Sequence, residues 1–335
     1  MILLGAIFGM DEVRAATLSQ EFADDFGLSS RQVGFALTAA AMDPQSGDFF
    51  LVNRWFDGQV SQLTPSGELR TLGNLAVGSA SFLWVDSSIV YREGFLYAKL
   101  AEGTSHELVQ MDTSTGKAEV VYDFTGEPVA DFSMGGGVAV KGNSLLVTLG
   151  NSSRSIYEFA PSTGSSPELT KVSTASKNLI NLELDPLMVI GYGSATDNRI
   201  HQIEFSGDDS IFSSSPTPAR LERTAPYRHF AVGPDGYLYL MGIDDTIFQV
   251  DPATGGKRPF VQGLFDTNEA DLIFGPSSDP SDGAEQWSLF FTDDSKLMEV
   301  SGFVVIPEPA IPCQLAGALF FALLTSTRWR ASLIR

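Results

Sequence analysis

One stretch of the chain decides the fold, His229-Phe-Ala-Val-Gly-Pro-Asp-Gly-Tyr-Leu-Tyr-Leu240. Two short apolar runs flank a tight turn. Proline presets the backbone of such a turn, and glycine accepts the positive φ that turns often need. The runs are rich in aromatic and β-branched residues, which favour strands. The stretch therefore predicts a β-hairpin.

The same turn chemistry recurs along the chain at intervals of 44 to 49 residues, with turns beginning at Asp43, Arg92, Lys141, Asp185, Gly233 and Asp279. A strand-like run follows each turn. A third run then leads into a second turn, as in Ile247-Phe-Gln-Val250 before Asp251-Pro-Ala-Thr-Gly255. Six such copies of four strands predict an all-β fold, a six-bladed β-propeller. A pair of β-sandwiches is the alternative.

The repeat leaves a remainder at its two ends. The last copy stops at Gly302 without a fourth strand, and residues 17 to 32 precede the first copy. A propeller that did not close would expose two sheet edges, which invite aggregation. We therefore expect the segment after Thr17, such as Leu18 to Phe22, to complete the sixth blade.

Residues 229 to 240 also resemble the repeats of the NHL, strictosidine-synthase and gluconolactonase group of propellers. The resemblance is strongest in the fifth copy and implies the propeller fold. In gluconolactonase-like members it further implies a metal ion in the central channel, held by a Glu, an Asn and an Asp from inner positions.

Aligning the copies on their first turns predicts two rings of residues around a central channel. The entrance ring, where each innermost strand begins, consists of Ala39, Ser87, Gly137, Asn181, His229 and Asp271. The inner ring, two residues further along, consists of Ala41, Ile89, Ala139, Glu183, Ala231 and Ile273. The entrance ring is mixed in polarity, whereas the inner ring is apolar except for Glu183.

The candidate channel ligands are Asn181, Glu183 and Asp271, with His229 as a base. Oxygen ligands of this kind suit Ca²⁺ or Mg²⁺. The resemblance places the metal-binding Glu of the family in the first blade, where this chain has alanine in both rings. Two alternatives stay open, a metal-dependent lactonase-like hydrolase and a polar channel mouth that holds water. The sequence favours the second, with no catalytic residue and no cofactor.

Charge and cysteine content narrow the classes of partner. The 335 residues include 41 acidic and 21 basic side chains, a formal net charge of −20. Such a chain repels nucleic acid, so a nucleic-acid partner is excluded. Hydrophobic residues make up 43% of the chain, enough for a packed core. The one cysteine, Cys313, leaves residues 1–312 without disulfides or thiolate metal sites.

The C-terminal segment, residues 304–335, has three parts: Pro307-Glu308-Pro309, an uncharged stretch of 17 residues from Ile311 to Thr327, and a basic end with Arg328 and Arg330. The stretch is just long enough to span a bilayer as a helix. The order of the parts resembles the PEP-CTERM sorting signal of Gram-negative bacteria. That resemblance implies an exosortase as partner and transient anchoring in the inner membrane. A permanent anchor and a buried C-terminal helix are the alternatives.

The N-terminus is predicted to be a truncated signal peptide, residues 1–16, with small residues at Ala15 and Ala16. The propeller is then expected over residues 17–303. Together the termini predict an exported protein at the cell surface or in the extracellular matrix. Its expected role is non-catalytic binding of a protein or a glycan.

Overall fold

The computed structural model describes residues 16–53, 58–77, 89–102, 105–124, 137–148, 155–161, 168–175, 177, 179–184, 190–195, 199–205, 212–220, 230–242, 245–264, 271–279, 281, 283 and 285–304. These residues form six antiparallel sheets and no helix. Accordingly, no helix within these ranges is long and apolar enough to cross a membrane. The tail was predicted over residues 304–335; Val304 ends the last strand, and residues 305–335, with the sorting motif, lie outside the described residues.

Each sheet is one blade, and its strands run from the innermost to the outermost in chain order in the first four blades. Blade one contains β3 (Leu37–Met42), β4 (Phe49–Asn53), β5 (Gln59–Leu63) and β6 (Leu69–Asn74). Blade two contains β7 (Ile89–Arg92), β8 (Phe95–Glu102), β9 (Ser105–Asp112) and β10 (Ala118–Asp123). Blade three contains β11 (Val138–Lys141), β12 (Ser144–Thr148), β13 (Ser155–Ala160) and β14 (Glu168–Thr174). Blade four contains β15 (Leu179–Leu184), β16 (Ile190–Ala195), β17 (Arg199–Phe205) and β18 (Phe212–Arg220).

The last two blades each take a strand from the N-terminus. Blade five contains β19 (Phe230–Val232), β20 (Leu238–Met241), β21 (Thr246–Val250) and β22 (Lys257–Gln262), and β1 (Thr17–Leu18) adds a fifth strand outside β22. Blade six contains β23 (Leu272–Pro276), β24 (Gln286–Asp293) and β25 (Lys296–Val304), with β2 (Gly27–Gln32) as its outermost strand.

The innermost strands close into a ring. They contact one another in the order β3, β7, β11, β15, β19, β23 and back to β3. Six apolar clusters fill the seams, one between each pair of adjacent blades. Neighbouring residues of a strand face opposite seams, so Phe49 packs towards blade six and Phe50 towards blade two. The six-bladed propeller predicted from the repeat is confirmed.

Closure of the ring by the N-terminal segment differs in its residues from the prediction. Leu18 to Phe22 do not complete blade six. β2 does so, pairing with β25 along its whole length from Gly27 opposite Ser301 to Gln32 opposite Lys296. Thr17 and Leu18 instead pair with β22 of blade five. The N-terminal segment therefore bridges two blades rather than extending one.

Between β1 and β2, a turn places Phe22 so that its aromatic ring packs in the seam of blades five and six. We call residues 16–32 the N-terminal clasp. Phe22 is 5% exposed, and its ring lies 4.9 Å from that of Phe260. The guanidinium of Arg258 also lies over the Phe22 ring, 4.9 Å from the ring centre, and is ion-paired with Glu21. The clasp thus combines sheet pairing with an aromatic anchor.

A polar side chain repeats in the third strands. The fourth residue of β5, β13, β21 and β25 is a Gln or a Glu: Gln62, Glu158, Gln249 and Glu299. Each bonds to the first turn, or the start of the second strand, of its own blade. Gln62 donates to Asp48 at 2.7 Å, and Glu299 accepts from the backbone N–H of Ser278 at 3.0 Å. These side chains hold the turns of the blades in place.

Glycine permits a close backbone approach between blades one and two. A Cβ at Gly116 would lie 2.0 Å from the backbone oxygen of Leu72, and one at Gly73 would lie 2.1 Å from the oxygen of Gly116. Gly116 also has a φ of +69°, in the left-handed region. Both the contact and the backbone conformation therefore require glycine at position 116.

Candidate functional site in the central channel

A cavity of about 250 Å³ lies on the axis of the ring. All six residues of the inner ring line it, one from each innermost strand: Ala41, Ile89, Ala139, Glu183, Ala231 and Ile273. Met42, Val90, Tyr91, Val140, Leu184, Val232, Phe274 and Trp287 complete the lining. Among the described lining residues, the wall is thus almost wholly apolar, with Glu183 as the one carboxyl group.

The cavity lies at the end of the ring where the innermost strands finish. Its lining takes the last two residues of β3, of β15 and of β19. In an antiparallel blade, this is also the side of the first-to-second and third-to-fourth turns. We call it the strand-end face. The entrance ring lies at the other end, where the innermost strands begin.

Glu183 faces the cavity from β15 and is half-buried. Its carboxyl makes no hydrogen bond to any described residue. Burial, and then the charge of Asp271, raise the pKa of Glu183 well above its usual 4.5. The two carboxyl groups therefore interact electrostatically. In the described part of the chain, no Lys, Arg or His lines the cavity.

Asp271 joins blade six to blade one. It is 5% exposed, and its Oδ2 accepts from the backbone N–H of Ala40 at 3.0 Å. Its Oδ1 accepts from the N–H of Leu272, also at 3.0 Å. Thr292 of β24 accepts at its hydroxyl from the N–H of Asp271. One carboxylate oxygen thus accepts from an innermost-strand amide across the seam, and the other accepts from the next residue of its own strand.

Asn181 also accepts a hydrogen bond from an innermost-strand amide, at the seam of blades three and four. The entrance-ring residue of blade three, Gly137, has no side chain that could reach across to blade four. A Cβ there would lie 2.3 Å from the backbone nitrogen of Leu182. The N–H of Leu182 instead donates to the Oδ1 of Asn181 at 2.8 Å. This amide corresponds to that of Ala40 at the other seam, so Asn181 and Asp271 both satisfy an amide at the same strand position.

The candidate ligands do not fit a calcium site. Asp271 and Asn181 turn oxygens towards backbone amides, burial raises the pKa of Glu183, and the first blade contributes alanine to both rings. In the described ranges, no group of three or more His, Cys, Asp or Glu is placed to hold a metal ion. His229, the candidate base, lies outside the described residues, as do Pro307, Glu308, Pro309, Arg328 and Arg330.

The sequence analysis did not identify the aromatic wall of the cavity. Phe274 follows the inner-ring residue Ile273 directly, and its ring is held edge-on by Phe303 at 4.9 Å. Tyr91 stacks on Phe50 at 5.3 Å. Trp287 reaches the cavity from the second strand of blade six, where it pairs with Pro276. An aromatic residue within two positions after an inner-ring residue was the available signal.

Known proteins resemble this chain in fold rather than in sequence. No protein family model matches the sequence, and no curated protein does either. A gluconolactonase from Xanthomonas campestris superposes with a TM-score of 0.57 at 14% identity, over 83% of this chain and 90% of its own. A protein of unknown function from Bacteroides thetaiotaomicron gives 0.54 at 12% identity, over 82% and 76%. A proposed glucose dehydrogenase from Thermus thermophilus gives 0.51 at 16% identity, over 82% and 100%. These likenesses support the propeller fold.

Proposed function

We propose that this protein is an exported propeller that binds a protein or a glycan at the cell surface or in the extracellular matrix, without catalysis. The observation that carries the proposal is that the polar side chains described in the entrance ring accept hydrogen bonds from the backbone. Asp271 and Asn181, the polar side chains on which a channel hydrolase would depend, satisfy backbone amides at the seams. That arrangement stabilises a rigid ring and leaves recognition to the loops around it.

Lactone hydrolysis is the test of the non-catalytic role. We expect full-length protein to show no rate above buffer, with calcium or with EDTA, and Asp271→Asn to behave identically. A calcium-dependent rate that disappears in Asp271→Asn would replace the proposal with a metal-dependent lactonase-like hydrolase.

Binding is tested on the matrix of the producing cells. The purified protein should rebind extracellular matrix that has been washed free of it, and saturate there. Treating the matrix beforehand with protease or with polysaccharide-degrading enzymes identifies the class of ligand, since one treatment should abolish rebinding. Equal rebinding after both treatments would contradict a protein or glycan ligand.

Export and sorting are proposed from the two termini. The order of Pro307-Glu308-Pro309, an uncharged stretch and Arg328 with Arg330 supports an exosortase as the sorting enzyme and the inner membrane as a transient anchor. Replacing Leu319, Phe320 and Phe321 by Asp should release the protein from washed membranes, because each central charge costs about 2.5–3.5 kcal/mol on insertion. Retention of the triple variant would contradict the anchor. Mass spectrometry of the mature chain then shows whether both ends are cleaved.

A further inference from the structure

We infer that the outer edge of β2, the edge that faces away from β25, pairs with the same edge of a second copy of this chain. Two propellers then associate through one continuous antiparallel sheet formed by their sixth blades, about a two-fold axis. This interaction lies outside the channel and goes beyond the binding of a protein or a glycan proposed above.

The first step of the argument is the regularity of β2 among the outermost strands. In the other five blades, a β-bulge interrupts the ladder between the third strand and the fourth, in β6, β10, β14, β18 and β22. In addition, β18 contains Pro216 and Pro218, and β1 covers part of β22. β2 pairs with β25 along its whole length without a bulge. Bulges and prolines protect exposed sheet edges from pairing, so the outer edge of β2 is the best shaped to accept another strand.

The second step is the direction of the backbone groups. The N–H of Val33, the residue after β2, donates to the carbonyl of Ser295 on the β25 side at 2.8 Å. Because this direction alternates along an antiparallel strand, every second residue of β2 turns its N–H and C=O away from β25. These outward residues are Leu28, Ser30 and Gln32. In the described ranges, β25 is the one sheet neighbour of β2, so the outward groups are available to an incoming strand.

The third step is the register. A two-fold axis through Ser29 places Leu28 of each copy opposite Ser30 of the other. Both residues turn their backbone groups outwards, so each pair exchanges both N–H···O=C bonds, as hydrogen-bonded pairs of antiparallel strands do. The outer edge of β2 is therefore complementary to itself.

The same register brings opposite charges together. Arg31 is the one charged residue of β2, and it then lies opposite Gly27 of the other copy, which has no side chain to obstruct it. Asp25, exposed and two residues before Gly27, becomes its diagonal neighbour, within reach of a long side chain. The two-fold axis repeats this contact, so two Arg–Asp pairs flank the shared sheet.

The net charge of the chain permits this association at physiological salt. A formal charge of −20 on each copy opposes it at long range. At an ionic strength of about 0.15 M, however, exposed charges more than about 8 Å apart are largely screened. The charges beside the shared edge then dominate, and they are complementary. The contact is small, so we expect a weak dimer whose population rises with protein concentration.

Analytical ultracentrifugation of the full-length protein, from about 1 µM to about 1 mM, measures the association. A mild detergent shields the uncharged C-terminal stretch, which is identical in every variant. We expect an equilibrium of monomer and dimer without larger species, because pairing about a two-fold axis occupies the edge in both copies.

Ser30→Pro tests the hydrogen bonds of the shared sheet. It removes an outward N–H and keeps the bonds between β2 and β25, so it should abolish the dimer with a melting temperature near that of wild type. Ser30→Ala is the matched control, because it removes the same hydroxyl but retains the N–H, and it should dimerise as wild type does.

A charge exchange tests the register and does not depend on the proline variant. Arg31→Glu should raise the dissociation constant of the dimer by about five- to tenfold, since two attractive contacts become repulsive. Adding Asp25→Arg should restore the wild-type constant. Arg70→Glu makes the same change of charge on the outermost strand of blade one and should leave the dimer unchanged.

Three results would overturn the inference. They are a monomer at every concentration, a dimer that persists in folded Ser30→Pro, and a dimer that Arg31→Glu does not weaken or that Asp25→Arg does not then restore. All three are read from the oligomeric state alone, without lactone hydrolysis or matrix rebinding, so failure here is distinguishable from failure of the proposed function.

Discussion

Truncating Phe22 should destabilise the whole ring, although the residue belongs to a segment that precedes the first blade. Phe22 is 5% exposed, with the ring of Phe260 at 4.9 Å and the guanidinium of Arg258 at 4.9 Å. Removal of a buried phenylalanine side chain costs about 3–5 kcal/mol, from lost transfer energy and the cavity left behind. At about 2 °C per kcal/mol for a chain of this size, Phe22→Ala should lower the melting temperature by about 6–10 °C.

Calorimetric melting measures this effect, and Leu69→Ala is its control. Leu69 is 41% exposed on the outermost strand of blade one, so its truncation should change stability by less than about 0.5 kcal/mol. The clasp supplies β2 to blade six, and its loss should therefore be felt in one cooperative transition. A Phe22→Ala protein that melts at the wild-type temperature would refute this reasoning. So would a small early transition followed by an unshifted main one.

Three further outcomes follow from the described contacts. The pKa of Glu183 is raised in the folded state, so on raising the pH the unfolded chain loses this proton first. The stability gained by Glu183→Gln should therefore be absent below about pH 4.5 and grow above it by up to about 1.4 kcal/mol per pH unit. Urea titrations at several pH values measure this gain. A pH-independent gain would contradict this. Gly116→Ala should cost more than Gly67→Ala, because both have positive φ but only Gly116 meets backbone within 4 Å, and equal urea midpoints would show that crowding is absent. Glu299→Ala should cost about 1–3 kcal/mol, since it leaves the buried hydroxyl of Ser288 without its acceptor, and an unchanged melting curve would argue against that bond.

The blade count was predictable because each blade is built from local signals. A turn of Asp, Pro and Gly with strands on either side needs no knowledge of distant residues, and the period of the turns then gives the number of blades. The strand that closes the ring was predicted at the wrong residues for a physical reason. β2 reads Gly-Leu-Ser-Ser-Arg-Gln and is mostly exposed as an outermost strand, so it carries little apolar pattern. Leu18 and Phe22 are apolar because they pack on blade five.

The channel was predictable in its positions but not in its bonds. The inner ring follows from counting residues after a turn, since alternate residues of a strand point the same way. Asp271 accepts a hydrogen bond from the amide of Ala40, a residue 231 positions away in the chain, and only the folded ring brings the two together. Asn181 accepts from the amide of the next residue, Leu182, which is a local bond, but the place of this pair against Gly137 of the preceding blade depends on the packing of two blades.

Glu183 is the residue at which local rules and the fold disagree most. Five of the six inner-ring positions hold Ala or Ile, and either would complete an apolar ring without the cost of burying an acid. Violations of this kind concentrate at functional sites. Removing the charge at this position should therefore raise stability. Glu183→Gln should raise the free energy of unfolding at neutral pH, because the amide side chain has no proton to lose. An unchanged free energy of unfolding at neutral pH would show that the acid carries no structural cost.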